Sequence, residues 1–264
     1  MKKYGIELGS MLFTLVEPHR GHEVEYNRWY ERDHFYAGCM IGEWNFAGAR
    51  FVATRPYKAL RDPQGPSPIT PDPSTGSFLA IYWILAGHHD EWNTWAVDQV
   101  NWLHANNRMF AERDHIHTLL YDLSFSEQRD EDSVSIELAL DHRFPGLVVT
   151  VAEAASGDRA ALERWCREVA IPEAMAGSSP VALVAGFTPL PLLADAPGDV
   201  PQLAAADDRL LLLWFLDGDP AASWPATFAG HGAAVAKSGT GTLVWAGPFI
   251  PTVVGTDTYT DQLW

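Results

Sequence analysis

The stretch Asn27-Arg-Trp-Tyr-Glu-Arg-Asp-His34 decides the fold, because the chain repeats it in outline as Arg164-Trp-Cys-Arg-Glu-Val-Ala170. A short β-rich run precedes each copy, at residues 12–17 and 147–153, and another follows each copy, at 48–54 and 183–188. Self-similarity of this kind indicates a unit of structure that occurs twice.

The two copies differ in the polarity of matched helical positions. The first copy has polar or aromatic side chains where the second has apolar ones: Tyr26, Tyr30, Asp33 and His34 against Leu162, Cys166, Val169 and Ala170. A packed core does not need tyrosine and histidine at these positions, since small apolar residues serve in the second copy. The contrast predicts a functional site in the first unit and a mainly structural second unit.

Composition excludes several classes of partner. The chain has 264 residues, 47% of them hydrophobic, and a net charge of −16. That charge argues against nucleic acid and against an anionic membrane surface, both of which attract Lys and Arg. Two cysteines give no disulfide framework or zinc spacing. Neither a signal peptide nor a spanning stretch is evident, so we expect a cytoplasmic protein.

Hydrophobic periodicity predicts the order strand, helix, strand, strand, helix, strand in each unit. The predicted strands are 11–17, 48–55, 77–85 and 115–125, then 147–153, 181–190, 209–216 and 242–254. The predicted helices are 23–38, 90–110, 158–176 and 220–237. We therefore predict a unit at 1–125, an acidic linker at 126–143 and a second unit at 144–264.

This order is the ferredoxin-like motif, and it predicts the α+β class with two βαββαβ units packed sheet to sheet. The chain resembles the dimeric α+β barrel superfamily in a fused tandem form. The segment from Trp29 and Tyr30 to His34, with the strand at 48–54, looks like the Trp-Tyr-x-x-x-His segment of EthD-like members. The superfamily includes polyketide cyclases, muconolactone isomerases, cofactor-free monooxygenases, EthD-like proteins and haem-binding chlorite dismutase relatives.

Both units carry a long proline-rich insertion between their second and third strands, at 56–76 and 189–208. Loops of this length inside compact domains are usually functional or disordered, and proline stiffens them. A lid or a packing arm is the expected role, and the sequence does not distinguish the two.

The principal catalytic candidate is His34. Tyr26, Tyr30 and His34 are spaced four residues apart, so they stack along one face of the predicted helix. A half-buried histidine titrates near neutrality and can take or give a proton. Tyr30 and His117 are the predicted catalytic partners. The alternative is a core histidine bonded to a strand carbonyl.

Strand alternation places His115, His117 and Tyr121 on one face. With His34 they could form a three-histidine metal site, but no carboxylate or cysteine completes a ligand set. We predict no metal and no cofactor.

The remaining candidates are substrate-binding residues on the helices and in the loop after the first helix. Their alternatives are core packing for the tryptophans, surface exposure for the loop, and for Asp33 an ion pair with Arg28 or Arg32. The predicted substrate contacts are Tyr26, Asp33, Trp44, Asn45, Trp92, Trp95, Asn107 and Tyr121.

No nucleotide loop or covalent nucleophile pattern is present. The resemblance implies cofactor-independent proton transfer by a lyase, cyclase or isomerase. Its partner would be a hydrophobic, aromatic or polyketide-like small molecule. A haem protein like chlorite dismutase is one alternative, although no proximal histidine matches by motif. The other is a non-catalytic protein that binds a small molecule or takes part in assembly. A homo-oligomer is compatible with the sequence.

Overall fold

The computed structural model describes residues 5–192, 198, 200–201 and 206–264, and its elements repeat one order in the two halves. The first half contains β1 (Leu8–Pro18), α1 (Glu23–Trp29), β2 (Asn45–Val52), the short α2 (Arg55–Lys58), β3 (Phe78–Leu85), α3 (His89–Ala105) and β4 (Arg113–Gln128). After α4 (Ala139–His142), the second half contains β5 (Gly146–Ala154), α5 (Arg159–Trp165), α6 (Ile171–Met175), β6 (Val181–Leu190), β7 (Arg209–Leu216), α7 (Pro220–Thr227), α8 (His231–Ser238) and β8 (Gly241–Pro251).

The eight strands form one closed antiparallel barrel. Each half supplies a sheet with the ferredoxin-like order, β4-β1-β3-β2 and β8-β5-β7-β6, and the two sheets join at both edges. The β4–β6 edge is long, whereas β2 and β8 meet over a short stretch, where Phe51 faces Pro251 and Val52 faces Ile250. The predicted fold class, an α+β barrel of two ferredoxin-like sheets, is confirmed.

Alternation along the strands separates the barrel interior from the face that the helices cover. On β1, Met11, Phe13 and Leu15 belong to the interior cluster, which combines residues of both halves. The intervening residues of β1 face the helices. Strand β3 is almost wholly buried and apolar, because it is covered on both faces. Each sheet therefore has two separate buried environments, the barrel interior and the helix-covered face.

The helices change geometry at the same point of the repeated motif. Helix α1 continues directly as a π-helix at Tyr30–Met40, and α5 continues as a π-helix at Cys166–Ala170 before α6. Both transitions follow the tryptophan of the motif, Trp29 or Trp165. The sequence predicted continuous α-helices here, because hydrophobic spacing does not distinguish the two geometries.

Two other helices are shorter than predicted. Helix α3 ends at Ala105 rather than at residue 110, and Asn107 has a left-handed φ of 55°. The predicted helix at 220–237 is divided into α7 and α8, with Gly230 before the second. In the described part of the chain, no helix has the length and apolarity needed to cross a membrane.

The first insertion and the predicted linker both pack residues into the barrel interior. The insertion at 56–76 packs Ile69 into the interior cluster, so it is a packing arm. The predicted linker is partly strand, because β4 extends to Gln128, and Ile136 and Leu140 also join the interior cluster. Half of the second insertion, residues 193–197, 199 and 202–205, lies outside the described residues. The division into units at 1–125 and 144–264 remains a prediction.

Candidate functional site

A cavity of about 100 Å³ lies between the helix-covered face of β1 and β4 and the helices of the first half. Its polar and aromatic lining comes from both helices and both strands: Thr14, Tyr30, His34, Cys39, Trp92, Asn93, Arg113, His115 and Thr118. Leu192 and Val200, which flank undescribed parts of the second insertion, also line it. The cavity is therefore built by the first half and completed by residues of the second.

The π-helix sets the position of His34. In an α-helix, residues five apart point about 140° away from each other, whereas i→i+5 bonding brings them to the same side. The His34 imidazole accordingly stacks on Trp29, with ring centroids 4.5 Å apart and planes 18° apart. Tyr30 meets the imidazole edge-on at 5.2 Å. Gln99 on α3 donates a 2.7 Å hydrogen bond to the Ala37 carbonyl of the π-helix, which ties the two helices together.

A polar network on the strand side lines the same cavity. The Nδ1 atom of His115 lies 2.8 Å from Thr118 Oγ1, and that hydroxyl lies 2.8 Å from Thr14 Oγ1. The Nε2 atom of His115 lies 3.3 Å from an Arg113 nitrogen. The Arg113 guanidinium also lies 5.2 Å from the centre of the Trp29 ring, and it donates a hydrogen bond to the Phe110 carbonyl. One cation and two histidines thus share this small cavity.

Burial fixes the protonation of the neighbouring phenol and thiol groups. Tyr30 and Tyr82 share a 2.9 Å hydrogen bond between their hydroxyls. Burial raises the pKa of Tyr30 and of Tyr82 well above the usual range, and it raises the pKa of the Cys39 thiol to about 12. All three groups stay protonated at neutral pH, so neither a tyrosinate base nor a thiolate nucleophile is available here.

Three of the predicted site residues line the cavity: His34, Tyr30 and Trp92. Trp92 is buried, and its Nε1 group has no hydrogen-bond partner among the described residues. Because buried polar groups normally find partners, a ligand acceptor in the cavity would suit this N–H.

The other helical and loop candidates lie outside the cavity lining. Tyr26 is buried among the rings of Trp29, Tyr30 and Phe78. Asp33 forms an ion pair with Arg108, not with Arg28 or Arg32 as the alternative reading expected. Trp44 stacks on His88 at 3.6 Å.

The remaining candidates, Asn45, Trp95 and Asn107, each have different surroundings. Asn45 has both amide atoms buried without a partner among the described residues. The Trp95 ring packs against Gly42. Asn107 lies beyond the end of α3, outside the helix that was predicted to carry it.

The predicted common face for His115, His117 and Tyr121 is wrong. The register of β4 against β1 shifts between Leu15 and Val16, so the alternation is interrupted near His115. His117 and Tyr121 consequently point into the barrel, where His117 Nε2 lies 2.8 Å from the Tyr121 hydroxyl. His115 faces the cavity instead. The sheet separates His117 and Tyr121 from His34, so neither can act with it, and the three-histidine arrangement does not form.

Sequence reasoning did not identify Thr14, Thr118, Asn93 or Arg113 as site residues. Thr14 and Thr118 are polar residues within otherwise apolar strand segments, and that is the one signal that could have identified them. Arg113 gave no such signal, because its role depends on the turn that follows α3.

The second half has a larger cavity, of about 530 Å³, between its helices and the outer face of its sheet. Its lining includes Trp165, Ala170, Glu173, Trp214 and His231. The second half therefore has the small apolar residue Ala170 where the first half has His34, and the cavity beside Ala170 is the larger of the two.

No protein-family model matches the sequence, and no curated protein is similar enough to count as a match. Solved structures do match in fold. An anthrone oxidase-like protein superposes with a TM-score of 0.55 at 10% identity, covering 95% of each chain. A proposed monooxygenase from Fusobacterium nucleatum subsp. nucleatum gives 0.52 at 12% identity and 94% of each chain.

A proposed chlorite dismutase gives a TM-score of 0.54 at 9% identity, covering 98% of this chain and 100% of the other. At these identities the similarity establishes the fold alone. The neighbours have the ferredoxin-like dimeric α+β barrel fold, and this chain shares it.

Proposed function

We propose that the protein is a cofactor-independent enzyme that moves protons on a hydrophobic small molecule, of the lyase, cyclase or isomerase type. The observation that carries the proposal is the shared cavity of His34, His115 and Arg113. A histidine beside a cation suits the removal of a proton next to a carbonyl group, because the cation stabilises the oxyanion that forms.

In the proposed step, His34 takes a proton from the carbon next to a carbonyl group. The C–H electron pair forms the carbon–carbon double bond of an enolate, and the π pair of the carbonyl group moves onto its oxygen. Arg113 and the hydroxyls of Thr14 and Thr118 stabilise that enolate oxygen. Protonated His34 then returns the proton in one of three ways. Return to another carbon isomerises the molecule, and return to a departing group completes an elimination. If the enolate carbon first attacks a second carbonyl group of the same molecule, return of the proton to the resulting alkoxide completes a cyclisation.

Cavity size limits the substrate. A cavity of about 150 Å³ accommodates benzene, so the 100 Å³ beside His34 is smaller than a whole aromatic ring needs and accommodates the reacting end of a larger aromatic or polyketide-like molecule. Apolar lining from Leu12, Val97 and Leu120 favours a hydrophobic group.

The proposal can be tested before the natural substrate is known. Small cyclic and aromatic ketones, such as 2-cyclohexenone and 1-indanone, are incubated with the protein in D₂O. Proton NMR then follows exchange of the C–H next to the carbonyl. We expect catalysed exchange, and we expect His34→Ala to reduce it by about 100-fold with little change in melting temperature.

Arg167→Gln, on the surface of the second half, is the control and should leave exchange unchanged. Exchange at the wild-type rate in His34→Ala would disprove the role of His34. A complete lack of exchange across the panel would favour a non-catalytic binding protein.

Haem, which the chlorite dismutase resemblance implies, does not fit the described residues. The 100 Å³ cavity is too small for a porphyrin. The 530 Å³ cavity offers His231 as an axial ligand, but its lining contains Glu173 and, among the described residues, no Lys or Arg to pair with two propionates. We assign no haem chemistry to this chain.

A further inference from the structure

The space above the Trp165 ring in the second half corresponds to the space that the His34 ring fills above Trp29 in the first half. Trp29 and His34 are five residues apart across the change from α- to π-helix, and so are Trp165 and Ala170. In the first half an imidazole covers the indole at 4.5 Å. In the second half, Ala170 and Trp165 both line the 530 Å³ cavity.

Aromatic walls surround this space. Besides Trp165, the cavity is lined by Trp214 and Phe228. The Trp214 Nε1 group already donates a 2.9 Å hydrogen bond to Thr150 Oγ1, so Trp214 contributes its ring and not its N–H. Ring surfaces of this kind favour planar ligands.

The polar groups of the cavity are one histidine, several hydroxyls and one carboxylate. His231 is buried, 5.5 Å from the Trp214 ring. Burial lowers the pKa of His231 to about 4, so at neutral pH its ring is neutral and can donate one hydrogen bond and accept another. Hydroxyl groups come from Ser178, Ser179, Ser223 and Thr227.

The charge of the cavity lining indicates the charge of the ligand that it would bind. Glu173 is the charged residue of the lining, and no Lys or Arg accompanies it among the described residues. The chain as a whole has a net charge of −16. A cation is therefore attracted by Glu173, by the overall field and by the faces of the tryptophan rings.

We propose that the cavity of the second half binds an arylalkylamine, a molecule with a planar aromatic ring and a positively charged alkylammonium group. Its ring stacks on Trp165 as the His34 imidazole stacks on Trp29, and its ammonium group pairs with the Glu173 carboxylate. This site is separate from the proton-transfer site proposed in the first half, and it gives the second half a binding role.

The test uses tryptamine and its uncharged counterpart indole as probes, with affinities measured by ligand-observed NMR titration. We expect saturable tryptamine binding and about tenfold weaker indole binding, because indole lacks the charge. Glu173→Gln should remove most of that difference. Ala170→His should weaken both probes at least tenfold by placing an imidazole over Trp165. Arg167→Gln is the control and should bind like the wild type.

Three outcomes would overturn the proposal. The first is no saturation with tryptamine up to about 5 mM. The second is equal binding of tryptamine and indole by the wild type. This comparison uses the wild-type protein alone, so it holds even if the Ala170→His variant does not fold. The third is a Soret band on addition of haemin that disappears in His231→Ala, which would make the cavity a porphyrin site. Retained tryptamine binding in His34→Ala would show that this site is independent of the first.

Discussion

At the scale of single residues, Gly38 controls the position of the His34 ring. A Cβ atom at position 38 would lie 2.8 Å from His34 Cε1 and 3.0 Å from Nδ1. Gly38→Ala should therefore turn the imidazole away from Trp29 and reduce ketone exchange by about tenfold or more. Stability should change by less than about 1 kcal/mol, because alanine favours helix over glycine.

The His34 proton signals in NMR report this change directly, since loss of stacking removes the ring current of Trp29. Gly218→Ala is the matched control, because its added Cβ would make only an ordinary 3.8 Å contact with Pro180. An unchanged His34 signal together with full exchange activity in Gly38→Ala would contradict the positioning role of Gly38.

The buried hydroxyl pair gives a second prediction for single residues. Tyr30→Phe and Tyr82→Phe should each cost about 1–3 kcal/mol of unfolding free energy, because each leaves a buried hydroxyl without its partner. The double variant should cost less than the sum of the two. Urea unfolding measures all three.

Tyr30→Phe should also keep most of the ketone exchange activity, since the raised pKa of Tyr30 keeps its hydroxyl protonated. A loss of exchange comparable to that of His34→Ala would instead restore the direct catalytic role that the sequence suggested for Tyr30.

Which residues meet at the site was only partly predictable. The Tyr30–His34 contact follows from spacing on one helix face, and it is present. The Trp29–His34 stack could not be predicted, because it requires a π-helix. His115 could not be separated from His117, because a register shift in β4 interrupts the two-residue alternation.

At the scale of elements, Arg61 holds the first proline-rich insertion against the barrel. Its guanidinium is buried and donates to the carbonyls of Pro73, Thr75 and Gly76. It also lies 5.6 Å from the Trp245 ring of β8. The role of residues 56–76 as a packing arm depends on these contacts between distant parts of the chain, which is why the sequence left lid and arm undecided.

Arg61→Met should lower the unfolding free energy by about 3 kcal/mol or more, because it leaves three carbonyl groups without their charged donor. Arg55→Met, at an exposed position of α2, should change stability by less than about 0.5 kcal/mol. Urea unfolding of the two variants provides the comparison. Equal stability of the two would mean that the insertion does not depend on Arg61.

At the scale of the whole molecule, the order of strands was predictable because each half repeats the same alternation of elements. Closure of the two sheets into one barrel was less predictable. The β4–β6 edge joins residues that are distant in sequence, and Ile136 and Leu140 of the predicted linker fill the interior. The volumes of the cavities also could not be predicted from the sequence. Ala170 appeared only as an apolar replacement for His34, although the cavity beside it is the larger one.

Two buried histidines in different parts of the molecule should make its stability fall in mild acid. Burial lowers the pKa of His117 to about 3 and that of His231 to about 4. Unfolded histidine has a pKa near 6.5, so below that pH the unfolded chain binds more protons than the folded protein. Stability is therefore lost as pH falls from about 6.5 towards 3, by about 2 kcal/mol for each histidine at pH 5.

Urea unfolding at pH 7 and pH 5 measures this loss, and a variant separates it from other titrating groups. In His117→Gln, the amide nitrogen can take the place of Nε2 opposite the Tyr121 hydroxyl, which lies 2.8 Å away in the wild type. The variant should lose about 2 kcal/mol less than the wild type between the two pH values, because glutamine does not titrate. If wild type and variant lose the same amount, His117 is not the neutral buried group described here, and the acid sensitivity must come from elsewhere in the barrel.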